Sequence, residues 1–179
     1  GLIHATNMRQ VFDMARVLET EPNPKGRRLQ IITNGGGYGV LTADAASESG
    51  LELAQMQEKY RKPIVAASPS YAVIKNPMDL TGDADNNRFL VAVENALLDS
   101  GVDAIIIILL FQVPTLDSDI IEGLSEHITK RKKPVLIVSA GGEYANMHMK
   151  LLEKEGIHTF EEPEDATHAL KALIRFYEK

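Results

Sequence analysis

The sequence predicts a single α/β domain, a doubly wound parallel sheet of flavodoxin-like type. Three observations carry that expectation. Asp103 to Phe111 is a run of Ile and Leu without polar alternation, as in a central parallel strand covered on both faces. Short β-prone segments alternate with amphipathic helical segments along the whole chain. Finally, Leu29-Gln30-Ile31-Ile32-Thr33 runs straight into the glycine turn Asn34-Gly35-Gly36-Gly37-Tyr38-Gly39 and then into a helical stretch.

The elements follow in order. Thr6 to Glu19 carries Met8, Val11, Phe12, Ala15 and Leu18 at helical spacing, with Thr6 or Asn7 as cap. Pro22-Asn23-Pro24-Lys25-Gly26 cannot continue it, so 1–26 reads as an N-terminal helix and linker and 27–179 as the domain. After the first strand and its glycine turn, Val40 to Ser49 is helical and Gly50 closes it. Leu51 to Ala54 and Ile64 to Ala67 read as strands, and Ser68 to Asp85 as a long loop. Asn86 to Ser100 is a helix with Phe89, Ala92, Val93, Ala96 and Leu97 on one face. After the central strand come a helix from Asp117 to Thr129, a strand from Pro134 to Ser139, the turn Ala140-Gly141-Gly142 and a helix to Glu155. A strand from Gly156 to Phe160 precedes a last helix from Pro163 to Tyr177, with Pro163 in its first turn.

Composition narrows the function classes. The net charge of −6 argues against a nucleic-acid or acidic-membrane binder. The basic clusters Lys25, Arg27, Arg28 and Arg131 to Lys133 precede strands and are expected in solvated loops. There is no cysteine, which removes thiolate chemistry and fits a cytoplasmic setting. No apolar run approaches the roughly 20 residues that span a bilayer. The opening Gly1-Leu2-Ile3 lacks an initiator Met, so a segment of a longer protein is expected.

In a doubly wound sheet, ligands sit beyond the carboxyl ends of the strands. Asn34 to Gly39, Phe111 to Thr115 and Ala140 to Gly142 are expected there. Glycines at a strand-to-helix junction permit positive φ and close ligand approach, and the first helical amides lack partners. With the helix dipole this makes an anion site, for which Asn34, Gly35, Gly36, Gly37 and Gly39 are the candidates and Gly141 and Gly142 weaker ones. The spacing fits neither G-x-G-x-x-G nor the P-loop, so a small anion or phosphorylated side chain suits it better than a dinucleotide. No metal site is expected. Asp79, Asp83 and Asp85 do not form an EF-hand, and Asp85 is placed to cap the helix at Asn86. Ser139 lacks a nucleophile elbow, and Glu122 and Glu143 read as solvated. Tyr38 either packs over the helix start or faces a partner domain.

Ile31 to Val40, Ala43-Asp44-Ala45, Gly50 to Ala54 and the loop Asn76-Pro77-Met78-Asp79-Leu80-Thr81-Gly82-Asp83-Ala84 together resemble the last domain of the ADP-forming acetyl-CoA synthetase α chain. Val102-Asp103-Ala104, Lys133-Pro134-Val135, Glu155-Gly156-Ile157 and Pro163 to Ala166 continue the match in order. That family is similar to succinyl-CoA synthetase. The resemblance implies a module of an enzyme converting acyl-CoA, ADP and phosphate to acid, CoA and ATP through a phosphohistidine. ADP or ATP, CoA, phosphate and Mg would serve the complete enzyme, with none bound tightly by this domain. Its partners would be CoA-binding, phosphohistidine and ATP-grasp domains, and the isolated domain would be inactive. None of His4, His127, His148, His158 and His168 lies in a glycine-flanked loop late in the fold, so this domain would receive the phosphohistidine, not supply it. The rival readings are a regulatory or interaction domain, for example of a protein acetyltransferase fused to a synthetase-like region, and a stand-alone binder of a small anion.

Overall fold

A computed structural model describes residues 2–130 and 133–178. Its centre is a parallel sheet of β1 (Arg28–Thr33), β2 (Glu52–Leu53), β3 (Met78–Asp79), β4 (Ala104–Ile108), β5 (Val135–Val138) and β6 (Thr159–Phe160). The order is β2-β1-β4-β5-β6, with β3 also on β1. β2 pairs with Arg28 and Leu29, and β3 with Ile32 and Thr33, so both lie on the same side of β1, staggered along it. Counted as one edge position, this is the flavodoxin-like order.

Among the described residues, seven helices cover the two faces: α1 (Met8–Thr20), α2 (Gly36–Glu48), α3 (Glu58–Ala66), α4 (Asn86–Leu98), α5 (Asp119–Ile128), α6 (Gly142–Lys154) and α7 (Pro163–Tyr177). Strand alternation divides the core. Leu29, Ile31, Ile106, Ile108, Leu136 and Val138 pack with Val17 of α1, Ala46 of α2 and Leu170 and Leu173 of α7. Ile32, Ile105, Ile107, Val135 and Ile137 meet Ile64, Phe89, Val93, Leu124 and Leu152 of α3 to α6. All five residues of β4 are buried, as its unbroken apolar run requires.

Several expectations need correction. Ile64 to Ala67 is not a strand but the end of α3, in which Ile64 is buried and Val65 is 54% exposed. A short apolar run does not separate helix from strand by itself. The segment 68–85 is not wholly loop, because Met78 and Asp79 pair with β1. On α1 the buried side carries Asp13 and Val17, while Met8, Val11 and Phe12 are exposed. Nor are the basic residues simply solvated. Arg27 pairs with Glu178, and Lys133 donates to the carbonyls of Ala96 and Asp99. Arg131 and Lys132 lie outside the described residues.

At the amino edge of the sheet, Arg28 grips Asp103 through Nε at 2.8 Å and Nη2 at 2.8 Å, and its backbone amide donates to the same carboxylate at 3.0 Å. Burial alone would raise the Asp103 carboxyl, but the Arg28 hydrogen bonds and charge outweigh it and hold it below its ordinary value. A depressed carboxyl stabilises the fold fully above its unfolded pKa and loses that contribution as pH falls through the folded value. Asp103→Ala should therefore cost about 2 kcal/mol near neutrality, moderated because the Arg28 side chain is 45% exposed. Urea titrations should show a constant wild-type advantage between about pH 5 and 8, narrowing below about pH 4. An advantage that instead grew on acidification would contradict this assignment.

Candidate functional site

The strand order reverses between β1 and β4, and there one side chain joins the two strand ends. Asn34 Nδ2 donates to the Leu110 carbonyl at 3.0 Å, and Leu110 N donates to Asn34 Oδ1 at 2.9 Å. Asn34 is 3% exposed, so its amide is committed to the scaffold. The next backbone amide, that of Gly35, is taken by Thr33 Oγ1 at 2.9 Å. Helix α2 starts at once, and Gly39 N already donates to Gly35 O at 3.1 Å. Between these bonded amides lie those of Gly36, Gly37 and Tyr38, which have no acceptor among the described residues, and the cap residue Gly35 offers no side chain. Such orphan donors, at the positive end of a helix dipole, can take an anion or a carbonyl oxygen.

Positive φ, expected of this turn, is absent at Gly35, Gly36, Gly37 and Gly39. The helix begins inside the glycine run, so these residues serve close approach instead. A β-carbon on Gly39 would lie 3.0 Å from Thr33 Cγ2 and 3.3 Å from Pro77 Cβ, and one on Gly36 would lie 2.6 Å from Asp79 Oδ2. Gly37 differs: nothing packs within 4 Å of the place its β-carbon would take. Tyr38 is half-buried against the core on the α2 side.

The loop after α3 forms the flank of this turn. Leu80 N donates to Thr33 O at 2.7 Å, and Asp79 Oδ1 accepts from Thr81 N at 2.8 Å, which leaves Oδ2 beside Gly36. Thr81 has φ of 74°, unusual for a β-branched residue. It is braced by hydrogen bonding to Asp83, which also receives Tyr71 Oη at 2.9 Å and Arg88 Nη1 at 3.1 Å. These bonds, that from Thr81 first, hold the Asp83 carboxyl at about 2. Asp85 caps α4 by accepting from Arg88 N at 2.8 Å. No cluster of three or more potential metal ligands occurs among the described residues.

Gly141 and Gly142 are where left-handed backbone is needed, with φ of 137° and 70°. Gln112 donates to Ala140 O at 2.6 Å and fills the place a Gly141 β-carbon would take. Phe111 stacks on the buried His148 at 4.1 Å between centroids, and His148 Nδ1 lies 2.8 Å from Tyr144 O, so that histidine is a packed one. His158 sits at the opposite edge, beside Thr20 and Glu21. Thr115 Oγ1 bonds Ala84 O. Sequence reasoning missed Tyr38 as an amide donor and Asp79 as a flanking carboxylate. The first follows from the helix starting at Gly36, the second only from the pairing of β3.

Residues 29–170 match the Ligase-CoA domain. The chain belongs to that family. It is 36% identical over 98% of its length to the α subunit of ADP-forming acetate–CoA ligase II of Pyrococcus furiosus, and 29% identical over 98% to the ADP-forming 4-hydroxybutyrate–CoA ligase of Nitrosopumilus maritimus. It spans 39% of the former and 25% of the latter. Among solved structures it superposes with a TM-score of 0.87 on an acetyl-coenzyme A synthetase of Candidatus Korarchaeum cryptofilum in complex with phosphate and ADP. The identity is 30%, covering 94% of this chain and 37% of that one. No helix among the described residues is long and apolar enough to cross a membrane.

The two glycine turns should respond oppositely to alanine. Gly37→Ala places a methyl in open space within a helix and should be neutral or stabilising by about 0.5 kcal/mol. Gly141→Ala forces left-handed backbone against Gln112 and should cost about 2 kcal/mol. Chemical denaturation of both variants checks this; equal costs would mean that the α2 turn is as constrained as the α6 turn.

Proposed function

We propose that this chain is the phosphohistidine-facing module of an NDP-forming acyl-CoA synthetase. Residues 27–179 are its succinyl-CoA-synthetase-like domain, and 1–26 are an N-terminal helix and linker. The reaction is acyl-CoA plus ADP and phosphate giving acid, CoA and ATP, in the cytoplasm. The observation that carries this reading is the set of unpaired amides at Gly36, Gly37 and Tyr38, with no packing where a Gly37 β-carbon would lie. The relatives' function and the phosphate and ADP of the Korarchaeum complex support it.

The histidine, the nucleotide and CoA are held by CoA-binding, phosphohistidine and ATP-grasp domains in the same or a partner chain. The present module supplies no covalent chemistry. Its amides donate hydrogen bonds to the negatively charged phosphoryl oxygens and are fixed before the group arrives, so no reorganisation accompanies transfer. Asn34 and Thr33 hold the turn at the angle that aims these donors. Asp79 Oδ2, beside Gly36, bounds the site on one side and disfavours an anion placed off the helix axis.

Gly37→Val tests this in the assembled synthetase. The side chain starts in open space, so folding should persist by circular dichroism, but its branches cover the amides. Phosphohistidine formation and decay should slow by roughly a hundred- to thousandfold. Unchanged rates in a correctly folded variant would remove the turn from the phosphoryl site.

A further inference from the structure

We propose that the break in the edge strand is a binding pocket for a nucleoside phosphate, separate from the glycine turn. β2 covers Arg28 and Leu29 of β1, and β3 covers Ile32 and Thr33. Between them no strand among the described residues lies against β1, and the side chain of Asn76 takes its place. Ile31 N donates to Asn76 Oδ1 at 3.1 Å, while Asn76 Nδ2 donates to Leu29 O at 2.7 Å and Ala54 O at 3.0 Å. The backbone facing the gap is thus satisfied without a strand and without water. Outside it a cavity of about 360 Å³ remains open.

The chemistry of its walls is mixed in a specific way. Leu53, Met56 and Met78 give apolar surface, Gln55 offers a side-chain amide, and Arg61 and Lys75 bring positive charge. Arg61 and Lys75 have no carboxylate partner among the described residues, unlike Arg27, Arg28 and Arg88, although Arg175 and several surface lysines share that condition. Two uncompensated cations on a chain of net charge −6 select an anion. The volume falls in the range of small-molecule sites, roughly 300 Å³ and above, and is too large for a bare phosphate or acetate. Methionine thioethers make favourable contacts with aromatic rings, and an amide can pair with the edge of a base. Phosphate at Arg61 and Lys75 would leave the base against the exposed Leu53, backed by Met56, near Gln55. No lining residue belongs to the glycine turn, so this site stands or falls independently of the phosphoryl reading.

Calorimetric titration of the chain with ADP, with adenosine and with inorganic phosphate tests it. ADP should bind saturably, with adenosine and phosphate each weaker by about tenfold or more. R61A/K75A, two exposed positions, should weaken ADP at least about tenfold while circular dichroism stays unchanged, and Gly37→Val should leave ADP affinity as it was. Absence of ADP binding up to about 10 mM, a dissociation constant beyond the useful range, would overturn the proposal. So would binding that ignores the double substitution, binding lost in Gly37→Val, or phosphate binding as tightly as ADP.

Discussion

The paired hydrogen bonds between Asn34 and Leu110 fix the geometry on which the rest of the carboxyl edge depends. They lock together the ends of β1 and β4 where the chain's winding reverses, the place at which such sheets open a crevice. With Asn34 held, Thr33 can turn its hydroxyl onto Gly35 N, and α2 can begin one residue later. The same Thr33 carbonyl receives Leu80, so the flanking loop takes its position from the same strand end. A buried amide with both polar atoms used leaves no freedom to slip, since either bond lost would strand a polar group in the core.

The two edges of the sheet are treated differently. At the amino edge, charges are matched: Arg28 with Asp103, Lys133 with the carbonyls closing α4, and Asp99 with the amides of Gln57 and Gly101. At the carboxyl edge, donors at the start of α2 are left unmatched while their surroundings are braced. Charged groups are paired at one end, and backbone donors are left free at the other. This asymmetry is what a preorganised site requires, because donors that were satisfied internally would have to break bonds to act.

The architecture was legible where burial dictates composition. The unbroken Ile and Leu run became β4, Pro163 opens α7, and Asp85 caps α4, each because a single local rule dominates. Ile64 to Ala67 misled because a short apolar run does not by itself separate strand from helix, and α3 carries Pro63 within it and buries only Ile64. β3 was invisible because its pairing with β1 depends on Leu80 reaching Thr33, a contact distant in sequence. At the glycine turn, Gly35, Gly36 and Gly39 serve close approach and not left-handed backbone. Which amides are free emerged only from where α2 starts.

The most direct measurement is the amide ¹H–¹⁵N spectrum of the chain, titrated with a phosphohistidine peptide and with its unphosphorylated form. The phosphorylated peptide should shift Gly36, Gly37 and Tyr38 downfield, while Gly35 and Gly39, whose amides already have acceptors, move least. The unphosphorylated peptide should leave all of them in place. Shifts centred instead on Gly142 to Tyr144 at the start of α6, or none at the start of α2 at saturation, would contradict the account.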